Sequence, residues 1–545
     1  MNLTLEQEAV VECRDRRRLV LAGPGSGKTS TLSACIARDV EHGIPIEAIA
    51  AVTFTQRAAE SLKQRLKGIA ATRRGLYYVG TVHGLCLGVL RRAAQRDGHQ
   101  QPSVLGDQQA RELAFRFARR LGAKLTAPEA AAIVESKAPD PALTPGSVHD
   151  AITLLFHQHC RKAALLSFEQ LRLNALAELR RNPPPIASLY WDEVQDADQT
   201  DWDLMEACDA GRVMAVGDPN QSIYRFRGAQ PEVMRRNIAS GSWTILAMTT
   251  NFRSGPAVCG LANSIMSASP QRVAAAATVP SANASLGLAL ITPCGSVAEE
   301  QFIAIEFARQ AAAAGATCAL LARTRAEANN IRDALLKAGL SLAPDHGDRP
   351  KRPVGWDLIV LLNVVRLNPW SEEDAAAYLE RRYGPTAADR FRLNCARDGK
   401  ALSSIVLGDA TNPPIALDAL AIRESVPSAA VDLLRRLGDD WSAEPPDQDV
   451  PDESVAAAVM TAHAAKGLEW DRVMVTGVEE GMFPTARAGT DLEEERRLLY
   501  VAATRALHVI QLTWCRMRPQ NRGPNLPPGP ATKREPSRFI THLNP

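Results

Sequence analysis

Short apolar runs alternate with amphipathic stretches along most of this chain. Apolar residues fill 19–22, 48–52 and 213–216, and small or polar residues bound each run. Between these runs, apolar residues recur at helical spacing, as in Thr31–Ala37 and Gln56–Lys67. Continuous apolar runs of this length are typical of strands buried on both faces, with helices as the crossovers between them. The pattern therefore predicts an α/β fold built on doubly wound parallel sheets.

Two long segments interrupt this alternation and predict insertions. Residues 92–185 are rich in Ala, Arg and Leu, with helical periodicity over Gln108–Lys124 and His149–Arg181. Residues 343–454 have a composition that predicts helices and proline-containing loops, and the final Pro-rich stretch is expected to be mobile. We therefore expect a first α/β domain at 1–91 and 186–246 with its insertion at 92–185, a second at 247–342 and 455–518 with its insertion at 343–454, and a tail at 519–545.

A glycine-rich segment follows the first apolar run and precedes a predicted helix. It reads Ala22-Gly23-Pro24-Gly25-Ser26-Gly27-Lys28-Thr29-Ser30. This is the pattern of a phosphate-binding loop, in which glycines let backbone N–H groups point at phosphate oxygens beside a helix N-terminus. We expect Lys28 to reach the β- and γ-phosphates of a nucleotide and the Thr29 hydroxyl to bind Mg²⁺. Ala22 replaces the first glycine of the pattern, a change that the adjacent Gly23 compensates.

Gln7 has two interpretations. Thr4 and Gln7 have the spacing of a capping box at the start of a short helix. Because the helix precedes the phosphate-binding loop closely, the Gln7 amide is also placed to read the edge of an adenine base.

Two further predicted strands end in side chains suited to nucleotide hydrolysis. The run Ile186–Trp191 is followed directly by Asp192 and Glu193. Asp192 suits the Mg²⁺ shell, and Glu193 suits a base that orients or activates the attacking water. Gln221 lies just beyond the predicted strand at 213–218 and is placed to sense a γ-phosphate.

An aromatic and basic segment follows Gln221. Tyr224 and Phe226 alternate with Arg225 and Arg227. Aromatic rings that stack on bases, beside cations that contact phosphates, are typical of surfaces that bind single-stranded nucleic acid. The alternative is that the two rings pack in the core and leave the arginines exposed.

Composition limits the kind of nucleic-acid surface, metal site and cellular location that the chain can have. The net charge is +2, so a nucleic-acid surface must be a local groove and not a global basic excess. The ten cysteines include no C-x-x-C pair, which disfavours zinc ribbons and is typical of reduced intracellular thiols. No charged leader and no apolar run of membrane-spanning length is present, so we expect a cytoplasmic protein without membrane contact.

These segments, in this order, resemble the UvrD/Rep/PcrA group of superfamily 1A helicases over most of the chain. The first half carries Ala-Gly-Pro-Gly-Ser-Gly-Lys-Thr, Thr-Phe-Thr-Gln-Arg-Ala-Ala, Gly-Thr-Val-His, Asp-Glu-Val-Gln-Asp and Gly-Asp-Pro-Asn-Gln-Ser-Ile-Tyr-Arg-Phe-Arg-Gly-Ala. Asn-Phe-Arg-Ser, His-Ala-Ala-Lys-Gly-Leu-Glu-Trp and Tyr-Val-Ala-Ala-Thr-Arg-Ala follow in the second half. Any one of these motifs is modest evidence, whereas all of them in order are specific.

The resemblance implies two RecA-like domains, each with a mainly helical insertion. In such proteins ATP and Mg²⁺ bind in the cleft between the domains, and single-stranded DNA lies across both. By resemblance, Arg253 and Arg505 of the second domain reach the γ-phosphate, and Glu469 lies near the ribose. The motif residues implied to face DNA are Phe54, Thr81, His83, Tyr224, Phe226, Arg227 and His463.

Three features depart from the family pattern. Gln56 replaces an asparagine, Phe226 replaces a stacking tryptophan, and the second insertion is shorter than the family norm. The leading hypothesis is an ATP-driven helicase and translocase that moves 3′ to 5′ on single-stranded and 3′-tailed duplex DNA, in repair or restart. Because the insertion is short, the alternative is a DNA-sensing ATPase subunit of a nuclease-containing phage-defence complex, with weak unwinding of its own.

Overall fold

The computed structural model describes residues 3–66, 76–136, 147–273, 276–282, 284–343, 457–487, 489–519 and 529–543. Within these ranges the chain forms two compact units. The helical unit comprises the described part of Cys86–Glu178, and the main unit comprises the other described residues. After its first residue, the predicted insertion at 343–454 lies outside the described residues, and the predicted domain boundaries remain predictions.

Strands alternate with helices through the main unit, and two short strands, Ser103–Val104 and Leu165–Leu166, lie in the helical unit. The strands are β1 (Arg17–Ala22), β2 (Ile49–Thr53), β3 (Tyr78–Thr81), β4 (Ser103–Val104), β5 (Leu165–Leu166), β6 (Ser188–Trp191), β7 (Arg212–Gly217), β8 (Thr244–Met248), β9 (Thr250–Asn251), β10 (Val279–Pro280), β11 (Leu288–Cys294), β12 (Cys318–Ala322), β13 (Ala458–Thr461), β14 (Trp470–Val475), β15 (Ala506–Cys515), β16 (Met517–Pro519) and β17 (Ala531–Lys533).

The helices of the two units are α1 (Leu5–Glu12), α2 (Lys28–Glu41), α3 (Gln56–Leu66), α4 (Val82–Asp97), α5 (Asp107–Arg120), α6 (Ala127–Ser136), α7 (Val148–Lys162), α8 (Phe168–Arg181), α9 (Gln199–Ala207), α10 (Pro231–Ala239), α11 (Pro256–Ser267), α12 (Val297–Ala313), α13 (Arg325–Lys337) and α14 (Leu492–Ala503). Short 3-10 helices span Ile46–Ala48, Val194–Asp196, Pro219–Gln221, Arg225–Arg227 and Thr541–Leu543. None of these described helices combines the length and the apolar character needed to cross a lipid bilayer.

Six parallel strands form the first sheet among the described residues, in the order β3-β2-β6-β7-β1-β8. All of β2 is buried, and so is β1 after its first residue. Burial on both faces explains why these strands read as continuous apolar runs in the sequence. The strand order sets the carboxyl ends of β6, β7 and β1 side by side, so the segments that follow these strands meet at one edge.

Five parallel strands form the second sheet of the described main unit, in the order β11-β15-β14-β12-β13. Its core on one face is built from side chains of α11, α14, β14 and β15, such as Val258, Tyr500, Val473 and Ile510. Two parallel sheets with intervening helices confirm the predicted α/β class.

The helical unit packs α5, α6 and α7 around a small core. The predicted helical periodicity over His149–Arg181 is wrong as one continuous element, because α7 ends before β5 and α8 follows it. Ala164 lies in the left-handed region with φ 49°, and β5 pairs in parallel with β4. Neither glycine nor proline marks this break, and the local signal in the sequence is the capping box of Ser167 and Gln170 at the start of α8.

The described part of the C-terminal tail is packed, so the expectation of a mobile tail is wrong for 529–543. Phe539 and Ile540 are fully buried in the core beside α14. The Ser537 N–H donates to the carbonyl of Val478 at 3.0 Å. The Arg496 guanidinium lies 4.6 Å from the centre of the Phe539 ring. Proline content predicts irregular backbone, but these apolar side chains hold that backbone against the second sheet.

Candidate functional site

The glycine loop, Ala22–Ser30, connects the end of β1 to the start of α2. Gly25 and Gly27 have φ values of 69° and 79°, which side-chain-bearing residues rarely adopt. A Cβ on Gly25 would lie 2.6 Å from both the Cβ of Arg253 and the Oδ1 of Asn251. The Lys28 ammonium donates to the carbonyl of Ala22 at 3.3 Å, which curls its side chain back over the loop. The loop thus presents backbone N–H groups and one cation at a helix N-terminus.

Three carboxylates lie at the ends of β6 and β7, next to the glycine loop. Those of Asp192 and Asp218 are buried, and that of Glu193 is half-buried. Burial, reinforced by the Glu193 charge, raises the pKa of Asp192, and burial raises the pKa of Asp218 to about 6. Although burial acts in the opposite direction, Lys28 and then Lys466 lower the pKa of Glu193. Glu193 is therefore the carboxylate held most firmly in its ionised form.

Glu193 also has unusual backbone geometry. Its φ of 58° and ψ of 35° place it in the left-handed region, at the start of the 3-10 helix Val194–Asp196. A non-glycine residue in this region is strained by about 1–3 kcal/mol, so contacts with the surrounding structure must hold it there. In this conformation the Glu193 carboxylate lies within electrostatic reach of the Lys28 ammonium.

Glutamine side chains connect Glu193 to the end of β7. The Gln195 Nε2 donates to the Glu193 carboxylate, and its Oε1 accepts from the Asp218 N–H at 3.0 Å. The Gln221 Nε2 donates to the Asp218 Oδ2 at 2.7 Å. These contacts form a chain of hydrogen bonds from Glu193 through Gln195 and Asp218 to Gln221.

Lys466, on the segment after β13, contacts several parts of this chain. Its ammonium pairs with the carboxylate of Asp196 and donates to the carbonyl of Gln221 at 3.0 Å. The same ammonium lies 4.6 Å from the centre of the Tyr224 ring. Lys466 therefore joins the second sheet to both the carboxylate end and the aromatic end of the site. Sequence reasoning did not single it out, although it stands between His463 and Glu469 in a motif.

Aromatic rings extend from Lys466 toward the surface. The Tyr224 and Phe226 ring centres are 6.0 Å apart, and those of Phe226 and His463 are 5.5 Å apart, both edge to face. Tyr224 packs partly against the core, whereas Phe226 is 66% exposed. The core-packing alternative therefore does not account for Phe226. The side chain of Arg227 lies outside the described residues.

Two arginines that come after the first sheet in the chain, Arg253 and Arg505, lie close to the site at the end of that sheet. The Arg253 Nε pairs with the Glu469 carboxylate at 2.6 Å. Arg505 is buried, and burial followed by the Arg253 charge lowers its pKa to about 9. Its guanidinium donates to the carbonyls of Val501 and Leu468 at 2.9 and 3.3 Å. Arg505 thus has neutral hydrogen-bond acceptors and lies within electrostatic reach of Glu193.

Gln7 forms the predicted capping box, and its side-chain amide also contacts the glycine loop, where reading of an adenine base was the other interpretation. Its Oε1 accepts from the Thr4 N–H at 3.1 Å, and the Thr4 hydroxyl accepts from the Gln7 N–H, so the capping box is confirmed. Its Nε2 donates to the carbonyl of Ser26 at 3.0 Å. The amide therefore contacts the glycine loop, and reading of an adenine base remains a prediction.

The other predicted residues occupy the same edge or cap nearby elements. Phe54 is partly buried just beyond β2, and His83 is partly buried in the first turn of α4. The Thr81 hydroxyl accepts from the Gly84 N–H at 3.2 Å and so caps α4. Their contact with DNA remains a prediction.

Two residues beside the glycine loop were missed by sequence reasoning. Arg65, on α3, donates to the Ser30 hydroxyl at 2.7 Å. Phe252 is 50% exposed, and its N–H donates to the carbonyl of Gly25 at 2.9 Å. The aromatic residue within Asn-Phe-Arg-Ser was the available signal for Phe252, since an exposed ring beside a loop predicted to bind phosphate is suited to stacking on a base.

Comparison with known proteins adds independent evidence. Residues 3–240 match the UvrD/REP helicase N-terminal domain, and residues 443–517 match the UvrD-like helicase C-terminal domain. DNA helicase II of Escherichia coli (strain K12) is 28% identical over 640 aligned positions, which cover 99% of this chain and 86% of that protein. ATP-dependent DNA helicase UvrD2 of Mycobacterium tuberculosis (strain H37Rv) is 28% identical, with 96% and 79% covered. DNA helicase II of Haemophilus influenzae is 25% identical, with 92% and 82% covered.

Proposed function

This chain belongs to the UvrD-like family of ATP-dependent DNA helicases, and we propose that it moves 3′ to 5′ along single-stranded DNA. The observation that carries the proposal is the continuous set of contacts from Glu193 to Phe226. It runs through Gln195, Asp218 and Gln221, and Lys466 joins its end to the Tyr224 ring. Under the proposal, the hydrolysis site and the stacking surface are therefore connected by direct side-chain contacts.

Under this proposal, five side chains at and around the glycine loop take part in hydrolysis. Lys28 and the loop N–H groups bind the phosphates, and Glu193 orients the attacking water as its ionised carboxylate accepts a proton. The Thr29 hydroxyl forms no hydrogen bond with the described residues, and with Asp192 it would hold Mg²⁺. Mg²⁺, when bound, would neutralise charge on the phosphate oxygens. A buried Arg505 with neutral partners suits the remaining phosphate charge.

Under the proposal, ATP hydrolysis is coupled to DNA movement because the two sheets supply different side chains of the site. Lys28, Glu193 and Gln221 follow strands of the first sheet, whereas Arg505 and Lys466 come from the second half of the chain. Under the proposal the two sheets are RecA-like domains, and hydrolysis is fast only when they close on ATP. Closure would move the Tyr224 and Phe226 rings relative to His463 and so advance a stacked strand.

The polarity of movement is tested with tailed duplexes. Because the proposal assigns 3′-to-5′ movement, duplex with a 3′ single-stranded tail is expected to be unwound in the presence of ATP. Duplex with a 5′ tail and reactions with a non-hydrolysable ATP analogue serve as controls. Single-stranded DNA is also expected to stimulate phosphate release. Unwinding from the 5′ tail would overturn the direction, and ATP hydrolysis unaffected by DNA would favour the partner-dependent ATPase subunit.

Phe226→Ala tests the stacking surface. Stacking on an aromatic ring contributes about 1–3 kcal/mol per base, so we expect single-stranded DNA to bind about 5- to 150-fold more weakly. Fluorescence anisotropy with a labelled oligonucleotide measures this change. Phe302→Ala is the matched control, because Phe302 is 62% exposed on α12 and lies outside the site. Equal affinity of the two variants for DNA would remove Phe226 from the binding surface.

A further inference from the structure

The chain passes from the first sheet to the second along the segment Thr249–Phe252, called the connection below. Among the described residues, every strand of the first sheet precedes the connection and every strand of the second follows it. Relative movement of the two sheets must therefore be absorbed at or after this segment. A hinge of this kind consists of a few residues between two packed elements.

The connection is hydrogen-bonded to the glycine loop at both of its ends. The Gly23 N–H donates to the carbonyl of Met248 at 3.2 Å, immediately before the connection. The Phe252 N–H donates to the carbonyl of Gly25 at 2.9 Å. The middle of the connection is left with N–H groups that the loop does not reach.

The carboxylate of Glu6 accepts hydrogen bonds from those N–H groups. Its Oε2 accepts from the N–H groups of Thr249 and Thr250, each at 3.0 Å, and its Oε1 accepts from the Thr249 hydroxyl at 2.5 Å. Although partial burial acts in the opposite direction, these bonds lower the pKa of Glu6, so it is ionised at neutral pH. Hydrogen bonds to an ionised acceptor are roughly twice as strong as neutral ones.

The neighbouring residue on α1 binds the glycine loop itself. Gln7 donates to the carbonyl of Ser26 at 3.0 Å, while Glu6 holds the connection. Two consecutive side chains of one short helix therefore tie the loop and the connection to the same support. Neither Glu6 nor the connection belongs to the groups assigned to hydrolysis above.

We propose that Glu6 is a positioning residue that fixes the connection against the glycine loop, so that ATP binding at the loop is transmitted to closure of the sheets. The proposal rests on the proposed function, because it concerns the same hydrolysis site. Without the carboxylate, the N–H groups of Thr249 and Thr250 lose their charged acceptor, and only the backbone bonds at the two ends of the connection hold it to the loop, so its middle moves more freely. ATP binding then has to order the connection as well, which weakens binding and uncouples hydrolysis from DNA.

Glu6→Gln tests the proposal in the full chain. The amide keeps the shape of the side chain, and its oxygen can still accept from the two N–H groups, but it removes the negative charge and places an NH2 group where Glu6 accepts from the Thr249 hydroxyl. We expect the KM for ATP to rise about tenfold, and the ratio of DNA-stimulated to basal hydrolysis to fall. Glu8→Gln is the matched control, since Glu8 lies in the same first turn of α1 and is exposed. It is expected to match the parent protein.

Thr249→Val provides a second variant that leaves Glu6 and the backbone bonds in place. It removes only the hydroxyl bonded to Glu6, so we expect a smaller rise in KM, with no further rise when it is combined with Glu6→Gln. A purely structural role would lower basal and stimulated rates by the same factor at unchanged KM, and this result overturns the proposal. If Glu6→Gln does not fold, a parental KM in Thr249→Val also overturns it.

The outcome for Glu6 can be separated from the outcome for the proposed function. If hydrolysis by the parent protein does not respond to DNA, the helicase proposal fails on the parent alone. The KM for ATP in the absence of DNA then still decides whether Glu6 positions the loop.

Discussion

Replacement of Lys28 by alanine is expected to reduce ATP hydrolysis by about a thousandfold, because removal of one preorganised donor to developing charge has an effect of about this size. This corresponds to about 4 kcal/mol of transition-state stabilisation. Lys28 is also the cation that opposes the negative charge of Asp192, Glu193 and Asp218. Its loss would leave the negative charge of these carboxylates uncompensated beside the phosphates, so nucleotide affinity is expected to fall together with the rate.

Steady-state phosphate release measures the rate, and equilibrium binding of a fluorescent ATP analogue measures the affinity. Lys63→Ala is the matched control, since Lys63 is exposed on α3 and is expected to contribute to neither quantity. A Lys28→Ala protein that keeps more than about a tenth of the parental rate would contradict the assignment of the glycine loop as the catalytic phosphate site.

The features that sequence predicted well are those with a local physical signature. Burial of both sheet faces makes β1, β2 and β7 continuous apolar runs, which is why the α/β class was accessible. Gly25 and Gly27 are required by positive φ, and the capping box at Thr4 and Gln7 needs only a three-residue spacing. Each of these signals is complete within one short window of sequence.

The features that sequence missed depend on partners far along the chain. Lys466 contacts Asp196, and Glu6 contacts Thr249, across separations that no local pattern encodes. The break before β5 has the same origin, because Ala164 is strained to let β5 pair with β4. The packed tail required knowledge of the core that receives Phe539. In each case tertiary contact overrode composition or periodicity.

The long-range contacts of the site each join segments that are far apart in the sequence. Lys466 joins the second half of the chain to Gln221, and Glu6 and Gln7 join α1 to the connection and the glycine loop. Residues proposed to perform hydrolysis are thus held by side chains that are distant in the sequence and do not take part in the proposed chemistry. A substitution that removes only the chemistry should therefore leave this bonded structure intact.

Glu193→Gln is that substitution, and it is expected to reduce hydrolysis by about 10²- to 10⁴-fold while the affinity for ATP stays near the parental value. Glutamine retains the shape of the side chain and an oxygen able to accept from the Gln195 amide, but it cannot accept a proton from water. Glutamine can adopt the left-handed backbone conformation of Glu193 as readily as glutamate does, because the two side chains have the same carbon skeleton up to Cδ.

Comparison of the two variants separates binding from chemistry. Lys28→Ala should lose both hydrolysis and affinity, whereas Glu193→Gln should lose hydrolysis alone and remain bound to ATP and to single-stranded DNA. Glu206→Gln, at an exposed ion pair with Arg17, is the control for a carboxylate outside the site. If Glu193→Gln hydrolysed ATP at the parental rate, the base would have to be another carboxylate of the site. Asp218 would then be the next to test, because Gln195 and Gln221 hold it in the same chain of hydrogen bonds.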